Sequence, residues 1–250
     1  MKSMHALIFS CLLTLTLSAQ RPQPDVIKVR GGDLTIQPIS HASLVLGYHN
    51  MNIYVDPTGG ATAYKGLPAP DMIIITDIHG DHFDIKTIDS VNTKNAILVV
   101  PQAVADKMPA GANKPKIVVV KNGETMKQQG ISIKAVPMYN LPETDDSRHP
   151  KGRGNGYVLT IADKNVYVSG DTEDIPEMRA LKNIDIAFVC MNLPYTMDVT
   201  QASQGVLAFK PAIVYPYHHR GQDINTFKEL VNAGDKNIDV RLREWYGGAK

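Results

Sequence analysis

Four side chains that can bind a metal ion stand close together after an apolar run. The run over residues 72–75 predicts a buried strand, and Asp77, His79, Asp81 and His82 come soon after it. A loop that coils around an ion can point such imidazole and carboxylate groups inward. If they were helix caps or surface polar groups, each would need a separate explanation. The segment therefore indicates a metal centre on a loop that follows a strand.

A divalent ion at this place would also define the chemistry. It lowers the pKa of bound water and polarises a carbonyl or phosphoryl oxygen, so hydrolysis needs no nucleophilic side chain. The chain contains no Gly-x-Ser-x-Gly motif of the kind that presents a serine nucleophile. Metal-assisted hydrolysis is therefore the favoured activity.

Short β-branched runs dominate the rest of the chain and predict the elements that position these residues. The predicted strands are 34–39, 43–46, 52–55, 72–75, 96–100, 116–120, 131–136, 157–161, 166–169, 184–189 and 213–215. The predicted helices are 85–91 with Asp84 as N-cap, 101–108, 200–209 and 223–231. Some strands are apolar at every position, which indicates burial on both faces. The pattern favours an α/β fold with four layers, an αββα sandwich with helices outside two sheets.

Length and charge narrow the class of protein. The 250 residues, 43% hydrophobic and 20% charged, suit one compact globular domain. Lys and Arg number 26 against 25 Asp and Glu, a net charge of +1, whereas a protein that neutralises many phosphates usually carries a basic excess. We therefore expect a small-molecule substrate and no nucleic-acid binding driven by bulk charge.

The N-terminal residues predict a secretory signal peptide. Lys2 precedes an apolar run over residues 6–17, and the small pair Ser-Ala follows. A buried N-terminal helix is the alternative, but Arg21 opens a proline-containing stretch that is typical of a linker. We expect a signal peptide at 1–19 and a single domain at 20–250. The mature protein would be secreted or periplasmic, without a stable membrane anchor.

Expressed at full length in a Gram-negative host, the chain should be recovered as a soluble periplasmic species. Its N-terminus should lie near Gln20, because cleavage follows the small residues at the end of the apolar run. N-terminal sequencing of the fractionated protein measures this. An intact Met1 in the cytoplasmic fraction would contradict the expectation.

The metal-binding segment resembles the metallo-β-lactamase superfamily, whose signature after a buried strand is T-H-x-H-x-D-H. It matches that signature at Thr76, His79, Asp81 and His82. Other pieces follow in the family's order: His41-Ala-Ser, Asp56-Pro57, Gly170-Asp171-Thr172 and Tyr215-Pro-Tyr-His218. The early His-Ala-Ser and the compact length are most similar to the branch that contains ascorbate-phosphate lactonases. The resemblance implies the αββα fold and a metal-dependent hydrolase.

Carrying the family's ligands over implies two metal sites. The first metal site would contain Asp77, His79 and Asn140, and the second Asp81, His82 and His218, with Asp171 bridging. Asp77 and Asn140 replace two imidazoles that the family has at the first site. Fewer imidazoles lower the affinity for Zn²⁺ and favour harder ions such as Mn²⁺ or Mg²⁺. We therefore expect one divalent ion, Zn²⁺ or Mn²⁺, to bind tightly and a second one weakly.

Further residues are candidates for catalysis and substrate binding. Asp81 and Asp77 are candidate catalytic residues, and His41 could bind an ion, orient substrate or transfer a proton. A buried, hydrogen-bonded imidazole is the alternative for His41. Three residues of a glycine-rich basic loop could bind an anionic substrate, although a solvated turn explains them equally well: His149, Lys151 and Arg153.

These observations predict a metal-dependent hydrolase that acts on a small-molecule ester, lactone or phosphodiester. The alternative is a non-catalytic protein that binds a metal or small ligand through a degraded hydrolase site. Asp77 and Asn140 favour that alternative because they weaken the first metal site. The intact ligand set of the second metal site favours the enzyme.

Overall fold

The computed structural model describes residues 21–109, 115–144 and 146–247. The predicted signal peptide at 1–19 lies outside them and stays a prediction. Among the described residues, no helix combines the length and apolar character that a membrane crossing requires.

Two seven-stranded sheets, each ordered along the chain, form the centre of the described structure. The first consists of β1 (Asp25–Val29), β2 (Gly32–Ser40), β3 (Ser43–Tyr48), β4 (Met51–Val55), β5 (Met72–Ile74), β6 (Ile97–Val100) and β7 (Lys116–Val119). The second consists of β8 (Thr125–Gln128), β9 (Ile131–Met138), β10 (Gly154–Ile161), β11 (Lys164–Val168), β12 (Ile186–Cys190), β13 (Ile213–Tyr217) and β14 (Asp239–Val240).

Each sheet is antiparallel in its first half and parallel in its second. Strands β1 to β4 pair antiparallel, and β4 to β7 pair parallel. In the same way β8 to β11 pair antiparallel, and β11 to β14 pair parallel. Loops that follow neighbouring parallel strands leave the sheet at the same edge, where binding sites of α/β folds are commonly built.

Helices cover the outer faces of the sheets. Within the described ranges they are α1 (Gly60–Ala63), α2 (Ile85–Ser90), α3 (Gln102–Ala105), α4 (Pro176–Arg179), α5 (Val199–Phe209) and α6 (Ile224–Gly234). Asp84 caps α2 as the sequence predicted, through hydrogen bonds from the backbone N–H groups of Lys86 and Thr87. The helix predicted at 101–108 is shorter than expected and ends at Ala105.

Strand β5 shows why its sequence is apolar throughout. Met72 and Ile74 belong to the large core between the sheets, whereas Ile73 and Ile75 belong to a smaller core shared with α2 and α3. All four side chains are fully buried. On the opposite side the large core continues beneath the helices, since Val206 of α5 and Phe227 of α6 are fully buried in it. The αββα sandwich is therefore confirmed.

Candidate metal centre

The loops at one edge of the sandwich carry the candidate metal-binding side chains. Asp77, His79, Asp81 and His82 follow β5, whereas Asp171 and His218 follow β11 and β13. The loop between β9 and β10 contributes His149, and the turn after β2 contributes His41. The segments after β5, β11 and β13 thus meet because parallel strands of both sheets end at the same edge, and the loops with His41 and His149 reach that edge from the antiparallel halves.

In the part of the chain that the structure describes, their ligand atoms form three clusters, in each of which the atoms lie within 4.8 Å of one another. The first cluster is Asp77, His79 and His149; the second cluster is His82, Asp171 and His218; the outer cluster is His41, Asp81 and His218. The second and outer clusters share His218.

Asp171 joins the first and second clusters. Its Oδ1 lies 3.3 Å from Nε2 of His82 and 3.3 Å from Nε2 of His218, and its Oδ2 lies 3.2 Å from Nε2 of His149. Within the first cluster, Nδ1 of His79 lies 2.6 Å from Oδ2 of Asp77. One carboxylate therefore faces both clusters, one oxygen to each, which is the arrangement of a ligand that bridges two ions.

The backbone is specialised where Asp171 enters the site. Gly170 has a φ of 61°, in the left-handed region that favours glycine. A Cβ on Gly170 would lie 2.6 Å from the sulfur of Met138 and 3.1 Å from Cβ of Thr76. Only glycine lets the chain pass between these two residues and aim Asp171 at the clusters.

Unpaired polar atoms fit a pair of cations. Within the described part of the chain, seven buried atoms of the first and second clusters lack a hydrogen-bond partner: Asp77 Oδ1, Asp171 Oδ1, Nε2 of His82 and His149, Nδ1 of His79, and both ring nitrogens of His218. Buried polar atoms are seldom left unpaired, because each costs roughly 1–3 kcal/mol. Carboxylate oxygens that face imidazole nitrogens without hydrogen-bond geometry would be satisfied by divalent ions between them.

The electrostatics point the same way. Burial would raise the pKa of Asp171, but the rings of His218 and His82 outweigh burial and hold it well below its usual range. Burial would likewise raise the pKa of Asp77, but the close contact with the His79 ring and nearby positive charges lower it to about 2. Burial would lower the pKa of His82, but Asp171 and Asp56 raise it well above its usual value. The carboxylates of Asp171 and Asp77 are therefore ionised at neutral pH, and a cation that displaces the proton of His82 would take over the interaction with Asp171.

Asp56 orients His82 from behind. Its Oδ2 lies 2.8 Å from Nδ1 of His82, and Thr76 donates to its carboxylate from both the backbone N–H, at 2.7 Å, and the hydroxyl, at 2.6 Å. The Nδ1–H of His82 therefore donates to Asp56, which leaves Nε2 facing the second cluster, where it can bind an ion once its own proton is lost. In the sequence, Asp56 stands among the motifs that follow the family's order, without a role of its own. A role for Asp56 could have been predicted, because a carboxylate that directly follows a buried strand is itself buried and needs a polar partner.

The structure corrects the expectation for Asn140. Its Oδ1 accepts hydrogen bonds from the backbone N–H and Nδ1 of His149, at 2.8 and 3.0 Å. Its Nδ2 donates to Glu173 Oε1 and to the carbonyl of Tyr195. The amide is thus fully used within the protein, where it fixes the His149 ring with Nε2 towards Asp77 and Asp171. His149, expected to bind substrate, occupies the place expected for Asn140.

The other residues of the basic loop separate. Nζ of Lys151 lies 3.1 Å from Glu143 and 3.0 Å from Glu177, so it is paired away from the clusters, contrary to the expectation of substrate binding. Arg153 does reach the site, because its Nη2 lies 3.3 Å from Oδ2 of Asp77. Its side chain is 20% exposed and can therefore be reached from solvent.

Arg153 also balances the charge of the unusual carboxylate. Asp77 stands where the family signature has a neutral histidine, and the nearby guanidinium adds the opposite charge. His79 faces the first cluster through Nδ1, and its Nε2 faces Arg153 at 3.5 Å.

Comparison with known proteins agrees with this geometry. Residues 35–218 match the model of a family described as the beta-lactamase superfamily domain. The chain belongs to the metallo-β-lactamase superfamily. The resemblance of the signature segment is therefore confirmed, although the lactonase branch stays a prediction.

Relatives of this superfamily member cover most of its length. The crystal structure of a protein from Parabacteroides distasonis, provisionally named a metal-dependent hydrolase, matches this structure with a TM-score of 0.80. The two sequences are 43% identical, and the match covers 89% of this chain and 98% of that one. A metal-dependent hydrolase of Staphylococcus saprophyticus is 28% identical and covers 74% of this chain and 88% of its own length. Igni18, a metallo hydrolase from Ignicoccus hospitalis, shares the fold at 21% identity and a TM-score of 0.70 over 85% of this chain and 96% of that one.

Proposed function

We propose that this member of the metallo-β-lactamase superfamily is a hydrolase that uses two divalent ions to cleave an anionic small-molecule ester, lactone or phosphodiester. The observation that carries the proposal is the pair of clusters joined by Asp171, whose oxygens lie 3.2 and 3.3 Å from imidazole nitrogens on either side. The names of the relatives from Staphylococcus and Parabacteroides support metal-dependent hydrolysis.

Asp77, His79 and His149 would hold one ion, and His82, His218 and Asp81 the other, with Asp171 between them. When bound, such ions polarise the scissile group and lower the pKa of water enough for it to attack at neutral pH. Each set offers two imidazoles and at least one carboxylate, a donor mixture that suits Zn²⁺ or Mn²⁺. Since His149 gives the first cluster a second imidazole, we no longer expect one of the two ions to bind weakly.

The chain's own residues would then handle substrate and proton. Of the two candidate catalytic carboxylates, Asp81 is better placed than Asp77 to accept a proton, because its side chain is 33% exposed whereas that of Asp77 is fully buried. A carboxylate that reaches solvent can pass a proton out of the site. Arg153, bound to Asp77 on one side and open to solvent on the other, would bind the negative group of the substrate.

The non-catalytic alternative depended on a degraded first metal site. The first cluster contains His149, whose imidazole stands in for the one that Asn140 lacks, so the first metal site is no longer poor in ligands and the alternative loses most of its support. Export remains part of the proposal on the strength of residues 1–19 alone, and N-terminal sequencing of the fractionated protein is its test.

The hydrolase is tested by a screen of paired substrates, each an ester, lactone or phosphodiester with and without a negative charge near the scissile bond. The metal-loaded protein should hydrolyse the anionic member better, and chelation should abolish turnover. Arg153→Ala should raise KM for the anionic member by ~10–100-fold, because a charge-assisted hydrogen bond contributes roughly 1.5–3 kcal/mol. KM for the neutral member should not change.

Two matched variants make the result specific. Arg153→Lys retains the charge and should recover part of the preference, whereas Arg30→Ala removes an exposed arginine at the β1–β2 turn and should change nothing. Metal content is measured alongside, because Arg153 also contacts Asp77. Equal loss for both members of a pair would rule out Arg153 as the anion-binding group. A metal-loaded protein inactive on every pair would contradict the hydrolase.

A further inference from the structure

Tyr246 connects the C-terminal segment to the candidate metal centre. It lies beyond the segment matched by the family model, which ends at residue 218. Its hydroxyl oxygen is 2.8 Å from Nδ1 of His41, and it accepts the backbone N–H of Arg220 at 2.7 Å. On the far side of the His41 ring, Nε2 lies 3.2 Å from Oδ2 of Asp81.

These contacts select one tautomer of His41. Because the Arg220 N–H already donates to the hydroxyl oxygen, the phenol proton of Tyr246 is free to donate to Nδ1 of His41. Nδ1 then acts as an acceptor, so the ring proton resides on Nε2 and points at Asp81. In the other tautomer, a lone pair on Nε2 would face the carboxylate oxygen, which is unfavourable.

The backbone and ring packing hold His41 in this orientation. Its N–H donates to the carbonyl of Trp245 at 3.0 Å, and its carbonyl accepts the N–H of His218 at 3.1 Å. The rings of His41 and His218 lie 3.7 Å apart between centroids. Both residues have positive φ values, 53° and 50°, which non-glycine residues seldom adopt outside tightly determined sites. The C-terminal segment thus fixes a histidine that touches two candidate ligands.

We propose that Tyr246 is a positioning residue for the metal centre, acting through His41 on Asp81. By fixing the donor tautomer of His41, it anchors the carboxylate of Asp81 beside His218, where the second ion of the proposed function would bind. Partners that orient metal ligands typically change metal affinity by about 10–100-fold. The rival arrangement is His41 as a direct ligand, since the outer cluster contains His41, Asp81 and His218.

The experiment measures Co²⁺ binding to the metal-free protein by chelator competition and by the visible spectrum. Tyr246→Phe removes only the hydroxyl and should leave two ions bound, one of them at least ~10-fold more weakly. Tyr48→Phe is the matched control, because that hydroxyl donates to the carbonyl of Arg30 in the exposed β1–β2 turn. It should leave both dissociation constants unchanged, and the thermal midpoint of each metal-free variant shows whether it folds.

A double-mutant cycle separates positioning from a general structural effect. If Tyr246 acts through His41, then His41→Ala should weaken the same ion, and adding Tyr246→Phe to it should weaken it no further. Additive losses would overturn the proposal, as would unchanged affinity in Tyr246→Phe. Loss of one imidazole from the Co²⁺ coordination sphere in His41→Ala would establish the rival arrangement. Because the probe is the metal alone, these outcomes stand apart from whether any substrate is hydrolysed.

Discussion

Asp171→Asn should remove both ions from the protein. Turnover should fall by more than ~10³-fold, because no ion is left to activate the attacking water. The carboxylate of Asp171 touches His82 and His218 through one oxygen and His149 through the other. Asparagine has the same shape but no charge, and one of its two positions becomes an N–H donor that cannot bind a cation. Elemental analysis and kcat/KM on the best substrate of the screen measure both effects.

The matched control for this variant is Asp163→Asn. Asp163 lies in the exposed turn between β10 and β11, so the same chemical change there should leave metal content and turnover as they are. Circular dichroism of the metal-free proteins shows whether the fold survives in each case. An Asp171→Asn protein that keeps one ion as tightly as the wild type would mean that the two clusters are independent and that Asp171 does not bridge them.

The sandwich could be predicted because its central strands are apolar on both faces. All eleven predicted strands are strands in the structure. Short runs such as 72–75 are apolar at every position, and a strand inside a layered sheet buries all of these side chains. The three strands that were not predicted, β1, β8 and β14, are edge strands. Their side chains show why the sequence does not reveal them. Strand β8 reads Thr-Met-Lys-Gln, with exposed and half-buried positions alternating, and β14 has two residues. Edge strands are held by backbone pairing, which leaves little hydrophobic pattern.

The residues of the candidate site likewise fall into two groups, those close together in the sequence and those brought together only by the fold. Asp77, His79, Asp81 and His82 could be predicted because one short loop after a strand places them together. Asp171 and His218 followed from the resemblance, and the structure brings them within 3.3 Å of each other. Tyr246 gave no signal, because its contact with His41 joins residues 205 positions apart.

The error at Asn140 has a specific structural origin. Asn140 lies just after β9, at the place where the family has a histidine, so the resemblance chose the correct strand end. The loop then folds back, and the backbone N–H of Asn140 donates to the carbonyl of His149 at 2.9 Å. The two residues are therefore neighbours in space, and the one with the longer side chain reaches the cluster. The sequence does not encode that fold-back in any local pattern.

His149→Ala should remove one ion and leave the other. His149 supplies Nε2 to the first cluster, whereas the second cluster keeps His82, His218 and Asp171. The bound metal should therefore fall from about two ions per chain to about one, and turnover should drop by ~10²-fold or more. Asn140→Ala should behave differently, because it frees the His149 ring without deleting it. Both ions should remain, with one weakened by about 10–100-fold.

The comparison of these two variants decides which residue is the ligand. His49→Ala serves as the control, since His49 lies at the β3–β4 turn, outside all three clusters, and should change neither metal content nor turnover. If Asn140→Ala lost a whole ion while His149→Ala kept two, the ligand implied by the family position would be the true one. A His149 ligand requires the opposite order. That assignment rests on the position of the His149 Nε2 atom, 3.2 Å from a carboxylate oxygen of Asp171 and 3.9 Å from one of Asp77. An ion bound to all three atoms would lie between them.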